Sequence, residues 1–148
     1  MDTEPLYVLL VEDDPDHAEL VKLAFEEQQV ARAVHHVSDG RAALDYLFRR
    51  GEYADPGRSP RPQLILLDLR LPRMDGLEVL KAIRTAEDLE LRRTPIVVLT
   101  SSEVEKDAAA AYDCHANSYV VKPAGPEKFQ QLVADLGFYW LVWNRLAA

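Results

Sequence analysis

The sequence predicts an α/β fold: an open, doubly wound sheet of five parallel strands flanked by five helices. Three observations carry that prediction. Short apolar runs alternate five times with stretches of helical period. Four of the five runs are apolar at nearly every position, the pattern of strands covered on both faces. Parallel strands need crossover connections, and these are right-handed, so successive crossovers wrap the sheet. The 148 residues fit one domain, 1–148.

The strand runs are 6–11, 33–37, 64–67, 96–99 and 119–121. Pro15 stands just inside a first helix, where its missing N–H has no partner to lose, with Asp13 or Asp14 as the cap. Ser38 or Asp39 caps a second helix that turns Ala43, Leu44, Leu47 and Phe48 to one side. A third starts near Asp75, with Leu77, Leu80 and Ile83 inward, and Asp75-Gly76 reads as its opening turn. Ser102 and Glu105 have capping-box spacing and open a fourth. Pro126 opens the fifth, whose core stripe is Phe129, Leu132, Val133 and Leu136 and which is expected to extend to about residue 146. Residues 51–63, rich in Gly and Pro, read as a long surface loop. His35 and His36 share a strand, so one of them faces inward, as an ordinary packed histidine rather than a ligand.

Lys plus Arg number 17 and Asp plus Glu 25, a net charge of -8. That balance argues against nucleic acid and anionic membrane as partners, because both select basic faces. The apolar run Phe138 to Trp143 is far shorter than the ~20 residues of a membrane span. The N-terminus has no signal-peptide pattern. Cys114 is the single cysteine and reads as an ordinary thiol, so a reducing, cytoplasmic setting is expected.

The informative residues follow the apolar runs. Val11 is followed by Glu12-Asp13-Asp14, Leu67 by Asp68, Leu99 by Thr100, and Val121 by Lys122-Pro123. All strands of a parallel sheet end on one edge, and ligand sites of open α/β sheets lie outside those ends. Glu12, Asp13, Asp68, Thr100 and Lys122 are therefore expected to converge. Like charges ~4 Å apart repel by ~4 kcal/mol at an effective dielectric of 20, so three crowded acids call for a cation. Oxygen donors without thiolate or imidazole favour Mg²⁺, and a divalent ion beside a lysine cradles a phosphoryl group. A carboxylate between them is a candidate nucleophile.

Val-Glu-Asp-Asp at 11–14, Leu-Leu-Asp-Leu-Arg-Leu-Pro-Arg-Met-Asp-Gly at 66–76, Val-Leu-Thr-Ser at 98–101 and Tyr-Val-Val-Lys-Pro at 119–123 resemble the receiver domain of two-component response regulators. The resemblance spans residue 6 to about 136. It implies a flavodoxin-like sheet of order 2-1-3-4-5 and a phosphoacceptor at Asp68, served by a sensor histidine kinase. It implies Mg²⁺ or Mn²⁺ held by Asp13, Asp68 and the backbone carbonyl of Arg70, with Glu12 acting through water. Lys122 would meet the phosphoryl group, and Thr100 and Tyr119 would form the switch pair. Glu12 departs from the family's commoner pair of aspartates. A cis Lys122-Pro123 bond is also implied.

A rival from another class is a small phosphatase or hydrolase that forms an aspartyl-phosphate. Such enzymes commonly place a second aspartate two residues after the nucleophile, where this chain has Arg70. A phosphate-binding flavin loop after the first strand is excluded by Glu12-Asp13-Asp14, which would repel phosphate.

Past Leu136 the fifth helix continues into Phe138, Tyr139, Trp140, Leu141, Val142 and Trp143, apolar on every face. A helix packing one face needs only a stripe, so the surplus predicts a second buried surface, most simply another copy of the chain. The alternative is an extension folded back on its own domain. With the 51–63 loop, this tail resembles single-domain response regulators paired with phytochrome-type kinases, which implies a light-sensing kinase as partner.

Overall fold

The computed structural model describes residues 6–28 and 31–145, without the side chains of Leu6, Gln28, Arg32 and Leu141. The strands are β1 (Leu6–Val11), β2 (Ala31–Val37), β3 (Leu64–Leu67), β4 (Ile96–Thr100) and β5 (Ser118–Val121). The helices are α1 (Pro15–Gln28), α2 (Gly40–Leu47), α3 (Gly76–Arg84), α4 (Leu89–Arg92), α5 (Glu105–Asp113) and α6 (Pro126–Phe138). The strands form one parallel sheet in the order β2-β1-β3-β4-β5.

Strand alternation divides the core in two. Leu9, Val11, Ile65, Leu67, Ile96 and Val98 face α2 and α3, where Leu47, Val79, Leu80 and Ile83 meet them. Val8, Leu10, Leu64, Leu66, Val97 and Leu99 face α1 and α6, where Val21, Phe25, Phe129 and Val133 meet them. Residues of β3 and β4 are buried throughout, which accounts for their unbroken apolar runs. No helix among the described residues is long and apolar enough to cross a membrane.

Most caps stand where the sequence places them. Asp14 Oδ1 accepts from the N–H groups of Asp16 and His17, so Asp14 rather than Asp13 caps α1. Asp39 caps α2 and Asp75 caps α3 through their carboxylates. The expected Ser102–Glu105 box does not form. Val104 is the cap residue of α5, and the Ser102 hydroxyl donates instead to Asp107 Oδ2 at 2.5 Å. A charged acceptor within reach makes the stronger hydrogen bond. The one-turn helix α4 is absent from the sequence reading. Four residues show no periodicity, and Asp88, which caps α4, is its sole local signal.

The 51–63 loop is ordered as two short 3₁₀ turns, 51–53 and 56–58. Tyr46 Oη donates to the Pro60 carbonyl at 2.7 Å, and Ser59, buried, donates to the Tyr53 carbonyl. His35 stacks on Tyr46 with ring centroids 4.5 Å apart, and Tyr53 meets it edge-on. Burial, with His36 and Lys22 adding to it, holds His35 below the usual histidine range.

The carboxyl-terminal extension forms a π-type turn, Tyr139–Trp143, so the regular helix ends at Phe138. Within it Trp140 is buried against the α1–α6 half of the core, and for this residue the fold-back alternative holds. A long aromatic ring over the end of α6 finds apolar partners in its own domain before it needs a second chain. Phe138, Tyr139, Val142 and Trp143 remain exposed, Trp143 at 78%. Leu141 lies outside the described side chains.

Candidate phosphoryl site at the strand ends

The carboxyl ends of β1, β3 and β5 bring Glu12, Asp68 and Lys122 into contact across 110 positions of sequence. Glu12 extends β1, its N–H donating to the Val37 carbonyl, and its side chain is buried. Asp68 extends β3 in the same way toward the Val11 carbonyl and is 6% exposed. Lys122 Nζ lies 2.5 Å from Glu12 Oε1 and 3.1 Å from Asp68 Oδ2, with its side chain 4% exposed. The Lys122 N–H in turn donates to the Thr100 carbonyl, which fixes β5 beside β4.

Backbone groups hold the remaining carboxylate oxygens. Glu12 Oε2 accepts from the Asp14 N–H and Asp68 Oδ1 from the Arg70 N–H, both at 3.1 Å. Carboxylate oxygens of Glu12, Asp13 and Asp68 lie within 4.8 Å of one another. Asp13 is exposed and faces the opening. Together with Asp14, His17, Arg70, Ser101 and Lys122 these acids line an open cleft of about 230 Å³.

Burial pushes Glu12 up to about 7, against the hydrogen bond and charge of Lys122, which work to lower it. Burial works to lower Lys122 as well, but Glu12 and Asp68 outweigh it and leave the ammonium above its ordinary value. The site therefore holds its lysine charged and keeps one carboxyl near its titration point at neutral pH.

Two other expected residues occupy different positions. Thr100 is completely buried at the end of β4, and Ser101 takes its place in the cleft wall. Tyr119 donates its hydroxyl to the Ser102 carbonyl at 3.0 Å, two residues beyond Thr100. Asp107 ties this loop to the other wall: it accepts from Ser102 Oγ and from the Arg70 guanidinium at 2.6 Å. The Lys122-Pro123 bond is trans, and no cis peptide occurs among the described residues, which corrects the expectation from resemblance.

The sequence reading gave no role at the site to three residues found there. His36 Nε2 lies 2.6 Å from the Glu12 carbonyl oxygen and braces the backbone there. His17 Nδ1 lies 3.0 Å from Lys122 Nζ. The spacing from Pro15, which puts residue 17 in the first turn of α1 over the strand ends, was the available signal for His17. Gly76 packs against the backbone of Asp68 and Leu69 so closely that a Cβ would overlap both.

The response regulator receiver domain model matches residues 8–134. The probable methanogenesis regulatory protein FilR2 of Methanothrix harundinacea (strain 6Ac) is 43% identical over 142 residues, 96% of this chain and 88% of that protein. Response regulator Rcp1 of Synechocystis sp. (strain ATCC 27184 / PCC 6803 / Kazusa) is 39% identical over 93% of this chain and 90% of its own length. The crystal structure of the Mn²⁺-bound form of Rcp1 superposes with a TM-score of 0.89, covering 97% of this chain and 100% of that one. The phosphorylated cyanobacterial phytochrome response regulator RcpA, 39% identical, superposes with a TM-score of 0.90 over 97% of this chain and 99% of that one. A receiver match over most of the length, on a sheet that brings these acids and this lysine to one edge, places the chain in the response regulator receiver family.

Proposed function

We propose that this receiver works as a single-domain phosphorylation switch in which Asp68 takes a phosphoryl group from a sensor histidine kinase of phytochrome type. The observation that carries the reading is the Asp68 carboxylate itself. It is nearly buried at the cleft, 3.1 Å from a charged lysine and beside two further carboxylates. The near full-length likeness to Rcp1 and to RcpA, a phytochrome response regulator by its own description, supports the partner class.

The donor set fits a hard divalent cation, since three carboxylates converge there and their mutual repulsion needs compensation. Asp13, Asp68 and the Arg70 carbonyl would hold Mg²⁺ or Mn²⁺, with Glu12 acting through water. Bound there, the ion would neutralise charge on the phosphoryl oxygens. In the transfer, an Asp68 carboxylate oxygen bonds to phosphorus as the phosphorus–nitrogen bond of the donor phosphohistidine breaks, and the electron pair leaves with the imidazole nitrogen. Lys122 stabilises the charge carried by the phosphoryl oxygens. The new group then draws the Thr100 hydroxyl, and the loop that Tyr119 holds through Ser102 shifts with it. Arg70, where a hydrolase would carry its second aspartate, favours a switch over a turnover enzyme.

The test is incubation with a small phosphodonor and Mg²⁺, read by intact mass. Wild type is expected to gain one phosphoryl group and Asp68→Asn none; equal gain in both removes the assignment. Metal affinity measured alongside should rise about tenfold from pH 6 to 8 and level off above, as Glu12 ionises.

The exposed aromatic end supports a homodimer through α6 and its extension. Tyr139, Val142 and Trp143 are its apolar surface, while Trp140 belongs to the domain core. In sedimentation, Trp143→Ala with Tyr139→Ala is expected to shift the protein toward monomer while leaving its melting temperature within a few degrees. A monomeric wild type at 100 μM would refute this.

A further inference from the structure

We propose that His17 is a positioning residue of the phosphoryl site: its unprotonated Nδ1 accepts a hydrogen bond from the third ammonium N–H of Lys122 and aims that charge at the group on Asp68. The inference rests on Asp68 being the phosphoacceptor.

A lysine ammonium has three N–H donors. Around Lys122 there are three acceptors, Glu12 Oε1 at 2.5 Å, Asp68 Oδ2 at 3.1 Å and His17 Nδ1 at 3.0 Å. An ammonium cannot donate to a protonated nitrogen, so the contact puts the imidazole proton on Nε2. The ring is held from two sides. Its backbone N–H is capped by Asp14 Oδ1, and its face meets Phe129 of α6 with centroids 5.1 Å apart.

The three acceptors are not equivalent. Glu12 and Asp68 orient the ammonium and also neutralise it. His17 orients it without charge, which leaves its full field for an arriving phosphoryl group. Once Asp68 becomes an acyl phosphate, its own carboxylate charge is gone, and the imidazole still keeps the ammonium in place. A proton on Nδ1 would reverse this. The ring would repel Lys122 and turn to Asp14 Oδ2, which is 3.6 Å away. Against desolvation, which works to raise it, the N–H groups of His17 and Asp16 together hold Asp14 below the usual carboxylate range. The charged groups facing the ring are therefore Asp14 from the α1 cap and Lys122 from β5, with Glu12, Asp13, Asp68 and Arg70 across the cleft. The residue of α6 against it, Phe129, is uncharged.

Two readouts test the proposal. Ring ¹⁵N shifts of His17 should place the proton on Nε2 at pH 8. Separately, phosphorylation by acetyl phosphate with saturating Mg²⁺ is followed from pH 5.5 to 8. His17→Phe, which keeps the packing on Phe129, is expected to slow it about tenfold at pH 8, the scale of one neutral hydrogen bond. His17→Asn, whose amide oxygen accepts a hydrogen bond, should stay within about twofold of wild type. Wild-type speed in His17→Phe at pH 8, or a proton on Nδ1 at that pH, would overturn the proposal. A wild type that takes no phosphoryl group overturns the phosphoacceptor reading and this role with it. The nitrogen shifts still report the His17–Lys122 contact in that case, so the two failures are told apart.

Discussion

Replacing Lys122 with Met is expected to cost about 3–5 kcal/mol of stability at pH 8, the scale of breaking a buried ion pair from one side. The lysine side chain is 4% exposed, and its partners Glu12 and Asp68 are 3% and 7% exposed. Without the ammonium, two buried carboxylates face each other with no cation between them. The remedy available to the protein is protonation, and Glu12 is already raised to about 7 by burial. The sign follows from linkage. A carboxyl whose folded pKa exceeds its unfolded value binds its proton more tightly when folded. That contribution is present at low pH and is lost as pH rises from about 4.5 through about 7. In Lys122→Met the upper edge of this window moves higher. The variant should therefore melt close to wild type at pH 5 and far below it at pH 8, and Mg²⁺ should restore much of the difference. Urea melts at the two pH values, with and without Mg²⁺, check this; a loss independent of both would refute the charge account. Its rate of phosphorylation should fall by about 10²–10³, as for removal of one donor to a charged transition state.

The second large effect is expected at Gly76. Its N–H donates to the Leu69 carbonyl, and a Cβ built there would overlap the Asp68 carbonyl oxygen and lie 2.6 Å from Leu69 Cα. Both obstacles are backbone, so neither can rotate away. Gly76→Ala should cost about 2–3 kcal/mol through overpacking, and Gly76→Val more. The displaced segment carries Asp68, and a misplacement of ~1 Å can cost ~100-fold in rate. Gly57→Ala is the control. A Cβ there meets the Asp55 carboxylate at 3.4 Å or more, ordinary van der Waals contact, so stability and phosphorylation should stay near wild type. A Gly76→Ala protein as stable and as reactive as Gly57→Ala would show that the backbone at Asp68 tolerates displacement.

The legible part of this protein is the part written in short-range patterns. Buried parallel strands must be apolar on both faces, so β3 and β4 show as unbroken runs, and the polar residue ending each run marks the sheet edge. Asp39 and Asp75 were readable as caps because a cap acts within three residues. Convergence of Glu12, Asp68 and Lys122 followed from the topology, since parallel strands share an end.

Side-chain choices between competing partners were decided by the tertiary structure. Ser102 had the spacing for a capping box, yet the nearness of Asp107 gave its hydroxyl a charged acceptor. The aromatic tail read as apolar on every face, and only the packed core shows Trp140 turned inward while Trp143 stays out. His17 looked like any residue in a helix's first turn until β5 set Lys122 against its ring. From its sequence alone this chain determines a receiver fold and the acids and lysine at its edge, because those depend on periodicity and strand direction. Which nitrogen meets the lysine, which ring fills the core and which glycine touches the backbone of Asp68 depend on distances of a few ångströms between distant segments, and those exist only once the sheet has formed.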